Sequence, residues 1–254
     1  MHRPGSFIKL WNTMPTNKVF VFDVDGTLTP SRTVINPTFA EYFIDAASRH
    51  PMYLVTGSDR AKTLEQVTEP VYNSCKAVFQ CSGNERWHQD KLIKTTSIDA
   101  PQKMFETFDY WLGASRFEHK TGNHVEVRSG LINFSIVGRN ATRHQRAAYV
   151  AWDHRTDERR MIAATLNNAF GDKFSITVAG DTGLDITYLG AGKHQIVDEI
   201  LEAHPGHTIE FYGDKTNPGG NDYSIAQKIH EIGHTVCPVD EYMDTEFSLR
   251  GQNL

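Results

Sequence analysis

From Lys18 onward, short apolar runs alternate with longer stretches of helical periodicity. Val19–Val24 reads as a buried strand. Asn36-Pro37 predicts a helix that has proline in its first turn and runs to about Ser48. Met52–Thr56 predicts a second strand, Asp59–Val67 a second helix and Ala77–Cys81 a third, short strand. Strand–helix–strand spacing of this kind argues a parallel sheet covered by helices.

The pattern then changes. Leu92–Lys94 is a short apolar stretch, and Pro101–Leu112 predicts a helix with Met104, Phe105, Phe108 and Leu112 on one face. His124–Arg128 and Leu131–Val137 predict two strands joined tightly through Ser129-Gly130, a hairpin signal. A helical stretch runs from about Arg143 to Phe170, with a break expected near Asp153. Phe174–Ala179 and Leu184–Leu189 predict a further strand pair, turned through Gly180–Gly183. Strand pairs beside helices suggest an α+β unit with an antiparallel sheet. After Gly190 the first pattern returns: helix at Lys193–Ala203, strand at Thr208–Tyr212, helix at Asp222–Ile232, strand at Thr235–Val239. The expected fold is α/β, a Rossmann-like parallel-sheet core with an inserted α+β cap domain. Residues 18–85 and 189–254 form the core, residues 86–188 the cap, and residues 1–17 a loose N-terminal tail without the apolar region of a signal peptide.

Composition narrows the class of partner. The balance of 26 Lys+Arg against 31 Asp+Glu carries no polyanion signature, which argues against nucleic acid. No apolar stretch approaches the roughly 18 residues of a transmembrane helix, so no membrane partner is expected. Cys75, Cys81 and Cys237 make an odd number without CxxC spacing, which suits reduced thiols in a cytoplasmic enzyme. The twelve histidines show no metal-binding spacing such as HExxH, and His119, His124, His144 and His154 read as surface or packing residues of the cap.

The chemistry-bearing segment is Asp23-Val-Asp25-Gly-Thr, delivered by the apolar strand before it. Phosphoryl transfer onto aspartate needs such a pair, one carboxylate to attack phosphorus and another to move the proton of the leaving oxygen. An isolated Asp-x-Asp is usually a solvated turn; the buried strand before it and the Gly-Thr after it favour catalysis. Thr56, in Val-Thr56-Gly-Ser-Asp59, puts a hydroxyl at the next strand end, where it can hold a phosphoryl oxygen. Read alone, that segment is an ordinary helix cap by Ser58 or Asp59. Lys193 stands near a helix start, where the helix dipole disfavours a cation unless an anion is bound. Read alone, it is a solvated lysine. Gly213-Asp214-Lys-Thr-Asn-Pro-Gly-Gly-Asn-Asp222 follows another strand, and Asp214 beside Asp23 would offer the oxygen ligands that Mg²⁺ requires.

These four segments together resemble the haloacid dehalogenase superfamily of phosphotransferases, and most closely its eukaryotic-type phosphomannomutase family. The opening Asp23–Thr29 followed by Arg32, and the run Gly213–Asp222, are similar to that family's motifs, and the similarity spans about Lys18 to Asp240. The resemblance implies that Asp23 is the nucleophile and Asp25 the general acid/base. It implies that Thr56 and Lys193 steady the transferred group, and that Asp23, the Asp25 carbonyl and Asp214 hold Mg²⁺. Arg128, Arg139 and Arg146, with Arg32, would bind the phosphate that does not react, because the planar guanidinium matches phosphate with paired hydrogen bonds. Arg143 is a spare candidate, and three ordinary surface arginines are the bland alternative. Asp185 matches an aspartate that binds sugar hydroxyls. The family has a serine two residues before it, where this chain has Gly183 with Thr182 adjacent.

The resemblance implies interconversion of hexose 1-phosphate and hexose 6-phosphate, mannose preferred, through a hexose bisphosphate, and a homodimer joined through the cap. A sugar-phosphate phosphatase is the alternative, to which Gly183 leaves room. A sugar-phosphate binder without catalysis is a third reading, and it would be expected to lack Asp23 or Asp25; both are present.

Overall fold

A computed structural model of the chain describes residues 17–252 and 254. The expected tail lies, except for residue 17, outside the described residues. The chain begins with strand β1 (Lys18–Phe22), helix α1 (Pro37–Arg49), β2 (Met52–Val55), α2 (Arg60–Ser74), β3 (Ala77–Gln80), β4 (Glu85–His88) and β5 (Lys91–Thr95). Next come α3 (Gln102–Ala114), β6 (Val125–Arg128), β7 (Leu131–Phe134), α4 (Arg143–Thr156), α5 (Glu158–Phe170), β8 (Phe174–Ala179) and β9 (Gly183–Tyr188). The chain closes with α6 (Ile196–Ala203), β10 (Thr208–Gly213), α7 (Tyr223–Glu231), β11 (Thr235–Pro238) and α8 (Tyr242–Gly251).

Two sheets result. The larger has the order β11-β10-β1-β2-β3-β4-β5 and is parallel from β11 to β3. Alternation along β1 makes it three-layered. Phe20 and Phe22 pack with α1, α2 and α8 residues such as Phe43, Val67 and Leu249. Val19 and Val21 face Ile196, Ile200, Ile225 and Ile229 of α6 and α7. The chain leaves β1 on one side for β2 and reaches β10 on the other only near its end, so the strand order reverses at β1. Open parallel sheets bind ligands outside the carboxyl ends of their strands at such a switch point, which is where Asp23 emerges.

The smaller sheet is antiparallel, β6-β7-β9-β8. One face is covered by α3, α4 and α5, with Ile132, Phe134, Leu184 and Ile186 packed on Phe108, Tyr149 and Leu166. Its other face carries Glu126 and Asp185 opposite Asn133 in register, and Arg128 opposite Leu131.

Several elements depart from the sequence expectation. The cap was expected to begin at residue 86, yet β4 and β5 continue the larger sheet in antiparallel sense, so residues 85–95 belong with it. Every residue of β5 is exposed, so no alternation marked it. The helical break falls at Asp157, not Asp153. Asp157 adopts φ 56, a left-handed conformation that aspartate tolerates, while Asp153 receives the backbone N–H and Nε of Arg159. The second helix runs past Val67 to Ser74 across a kink at Thr68, just before Pro70, which lacks an amide donor. Helix α8 buries only Thr245 and Leu249, too sparse a stripe to announce itself. The three cysteines are free. No described helix is long and apolar enough to cross a membrane.

Candidate active site

Asp23 follows β1 on the face that carries Val19 and Val21. That face looks towards α6 and α7, and the elements at their N-terminal ends supply its neighbours. Lys193, in a short 3₁₀ turn before α6, sends Nζ to within 2.5 Å of Asp23 Oδ1 and 2.6 Å of Asp222 Oδ1. All three side chains are withdrawn from solvent. The anions that justify this lysine are thus the protein's own carboxylates, and the reading of Lys193 as a solvated lysine is excluded. Burial opposes its charge, but Asp222 and Asp23 more than compensate and raise its pKa. Burial, then the Asp222 charge, push the Asp23 carboxyl up to about 7 against the pull of Lys193.

Asp214, at the end of β10, completes an acidic cluster. One ligand atom each from Asp23, Asp214 and Asp222 lie within 4.8 Å of one another. Asp23 Oδ2 and Asp214 Oδ1 are buried without a hydrogen-bond partner. Burial raises the Asp214 carboxyl, with Lys215 opposing and Asp222 adding to the rise. Gly26 makes room for the cluster. Its φ is +83°, and a Cβ there would fall 2.5 Å from Asp214 Oδ2. Three carboxylates this close, two of them with a partnerless oxygen, suit a divalent cation, since hard cations take oxygen ligands. The sequence points to Asp23, Asp25 and Asp214 for this role; Asp222 joins them in the structure, and its signal is the acidic residue that closes the Gly213–Asp222 motif.

Helix α2 holds the Asp25 carboxylate. Oδ2 accepts from Lys62 Nζ at 3.1 Å, and Oδ1 from Gln66 Nε2 at 2.9 Å. Partial burial opposes ionisation, but the Lys62 charge and the Gln66 and Lys62 hydrogen bonds hold the Asp25 carboxyl below its ordinary range. Thr56 is buried at the end of β2, and its Oγ1 accepts the Ser58 N–H at 3.1 Å. Asp59 caps α2 through the Lys62 N–H, so the cap expected of this segment is present alongside the threonine.

The arginines gather between the sheets. The backbone N–H of Arg32 lies 3.3 Å from Asp25 Oδ1. Burial, and then the positive charges of Arg32 and Arg139, lower the pKa of Arg146, with Asp181 opposing. Arg128 Nη2 and Arg139 Nε both donate to Glu126 Oε2, at 2.7 and 2.9 Å. Asp185 is held beside them, its Oδ1 accepting from Asn133 Nδ2 at 2.7 Å. Burial raises its pKa, while the Asn133 bond and the charges of Arg128 and Arg139 oppose the rise. Arg143 is exposed and stands apart. Among the histidines, His124 bonds Ser135 O, His119 packs edge-on to Phe117, and His144 and His154 are exposed. Glu126, Asn133, Lys62 and Gln66 escaped the sequence reading, because nothing in spacing alone marks a residue that serves another side chain.

Comparison with known proteins shows the family and the fold. The sequence model of the family described as "Eukaryotic phosphomannomutase" matches residues 39–249, which begins after Asp23 and Asp25. A phosphomannomutase of Schizosaccharomyces pombe is 31% identical over 235 residues, covering 87% of this chain and 90% of the relative. A probable phosphomannomutase of Caenorhabditis elegans is 30% identical over 229 residues, covering 86% and 89%. Among solved structures, a haloacid dehalogenase-like hydrolase from Bacteroides thetaiotaomicron superposes with a TM-score of 0.61 at 12% identity, covering 93% of this chain and 99% of that one. At that identity the likeness shows a shared fold.

Proposed function

Since the chain belongs to the eukaryotic phosphomannomutase family, we propose that it interconverts hexose 1-phosphate and hexose 6-phosphate, mannose preferred, through an aspartyl-phosphate on Asp23. The observation that carries this reading is the cluster of Arg32, Arg139 and Arg146. Burial, and then the charges of Arg32 and Arg139, depress Arg146, and Arg32 reaches Asp25 through its backbone N–H. Cations crowded in that way call for an anion between them. A hexose bisphosphate presents one phosphate to Asp23 while the arginines hold the other.

In the forward step Asp23 attacks one phosphorus of a hexose bisphosphate whose other phosphate sits at the arginines, the Asp23 O–P bond forms, and the bond from phosphorus to the sugar oxygen breaks, leaving a hexose monophosphate. Asp25, which must first take up a proton against the pull of Lys62, gives it to that oxygen. In the return step the monophosphate presents its free hydroxyl with its own phosphate at the arginines, and that hydroxyl loses its proton to Asp25 as it takes the phosphoryl group, which restores the bisphosphate. Lys193 and the Thr56 hydroxyl steady the transferred group, and catalysis is mainly positioning and electrostatics. Asp23, Asp214 and Asp222 would hold Mg²⁺, with the Asp25 carbonyl as a further ligand; when bound, it neutralises charge on the phosphoryl oxygens. Arg128, Arg139 and Arg146 grip the distal phosphate, and Asp185 meets the sugar hydroxyls. Residues of about 96–189 act as the cap over the sugar, and the free thiols suit a cytoplasmic setting. Pairing of two copies through that cap belongs to the same reading, and the exposed Tyr110 and Met161 lie on its helices.

Gly183 favours one second reading, a sugar-phosphate phosphatase. The space beside it is filled by Asn133, whose Nδ2 lies 2.8 Å from where a Cβ would be. The site therefore lacks a hydroxyl that the family offers there. Phosphorus NMR of purified protein with mannose 1-phosphate, Mg²⁺ and a trace of hexose bisphosphate decides between them. A growing 6-phosphate signal is expected. Free phosphate alone would establish the phosphatase, and no change in any signal would overturn both readings.

A further inference from the structure

Helix α2 holds Asp25 by both carboxylate oxygens. Lys62 and Gln66 are four residues apart and share one face of the helix. Lys62 Nζ reaches Asp25 Oδ2 and also donates to Ser58 Oγ at 2.9 Å. Gln66 Nε2 reaches Oδ1. Two observations set these contacts apart from ordinary surface ones. Lys62 lies in the first turn, where the helix dipole opposes a cation, so it needs a carboxylate facing it. Gln66 is almost fully buried, and its Oε1 has no partner. The side chain leaves one polar atom unsatisfied while its amide stays on Asp25. The helix then kinks two residues on, at Thr68 with φ 70.

We infer that Lys62 and Gln66 are positioning residues for proton transfer: they aim the Asp25 carboxyl at the oxygen that leaves phosphorus. The inference rests on the proposed phosphoryl transfer to Asp23. Its consequence depends on the leaving group. When the bond from phosphorus to a sugar oxygen breaks, the electron pair stays on that oxygen, and the Asp25 proton must meet it there. A nitrophenolate leaves without a proton, so its departure depends far less on where Asp25 points.

The test compares two phosphoryl donors, mannose 1-phosphate and p-nitrophenyl phosphate, on the intact protein with Mg²⁺. The variants are Lys62→Met, Lys62→Arg and Gln66→Ala, each checked for an unchanged thermal midpoint. Lys62→Met and Gln66→Ala are expected to lower kcat for the sugar phosphate on the order of tenfold to hundredfold. The loss with the aryl phosphate is expected to be at least ~10-fold smaller, and Lys62→Arg is expected to recover part of the sugar-phosphate rate. Equal losses on both donors, or no loss on either, would overturn the positioning role. Wild-type protein that transfers from neither donor would overturn the functional reading and this inference with it, and the two failures are thereby told apart.

Discussion

Lys193 Nζ lies 2.5 Å from Asp23 Oδ1, across 170 positions of sequence. The contact is buried, and its other arm runs to Asp222. Removing one partner of a buried ionic contact leaves the others uncompensated, at ~3–5 kcal/mol. Lys193→Met is therefore expected to lower the urea midpoint of the metal-free protein sharply and to abolish phosphoryl transfer. Added divalent cation should restore part of the midpoint, because it supplies the missing positive charge to the same carboxylates. An unchanged midpoint would show that the lysine is dispensable to the fold.

The raised Asp23 carboxyl sets a pH dependence. Its folded value is about 7 against 3.8 for the ordinary group. Between those values the unfolded chain has released this proton while the folded protein keeps it, so stability falls as pH rises through the window and levels off above it. Metal-free protein is expected to lose stability from about pH 4 to pH 7 relative to Asp23→Asn, as read from paired urea titrations in chelator. A relative gain over that window would contradict the assignment.

Asp23→Asn is also expected to end turnover while the circular dichroism spectrum persists. The amide keeps the shape of the side chain but is not a nucleophile. Retained turnover in that variant would move the attack to another residue.

Gly26 combines a left-handed conformation with a neighbour too close for a Cβ. At φ +83° a side chain costs ~1–2 kcal/mol, and a Cβ would press on Asp214 Oδ2. Gly26→Ala is expected to displace Asp214 and weaken Mg²⁺ affinity at least ~10-fold, the equivalent of about 1.4 kcal/mol. Isothermal titration with the metal alone measures this.

Gly183→Ser restores a side chain where the family has one. Its Cβ meets Asn133 Nδ2 at 2.8 Å, so Asn133 must leave Asp185 or the strands must part. A cost of ~1–3 kcal/mol in stability is expected from the crowding. If Asp185 recognises the sugar, KM for hexose phosphate should change several-fold more than kcat. Steady-state kinetics with mannose and glucose phosphates would register the change, and identical constants would separate Asp185 from recognition.

Much of the fold was legible because its period was legible. The runs at Val19–Val24, Met52–Thr56 and Thr208–Tyr212 are buried on both faces and read as parallel strands. What escaped notice was partly exposed: β5, which alternates against nothing, and α8, which buries two side chains. Placing the cap boundary at residue 86 failed for the same reason. A solvent-facing edge hairpin looks like a linker until its hydrogen bonds to β3 are seen.

The sequence by itself determined that phosphate chemistry is the business of this chain. A buried strand that ends in Asp23 and Asp25 must bring both carboxylates to one sheet edge, because the strand period and the glycine turn allow little else. Tertiary structure alone decided the company they keep. Lys193 and Asp222 reach Asp23 because α6 and α7 cover the face on which it emerges, and Lys62 and Gln66 reach Asp25 because α2 passes beside it. Such pairings depend on distances between elements far apart in the chain, and no local pattern of residues encodes them. The same holds for Arg32 and Arg146, one beside β1 and the other on α4, whose mutual repulsion exists only once the two sheets face each other.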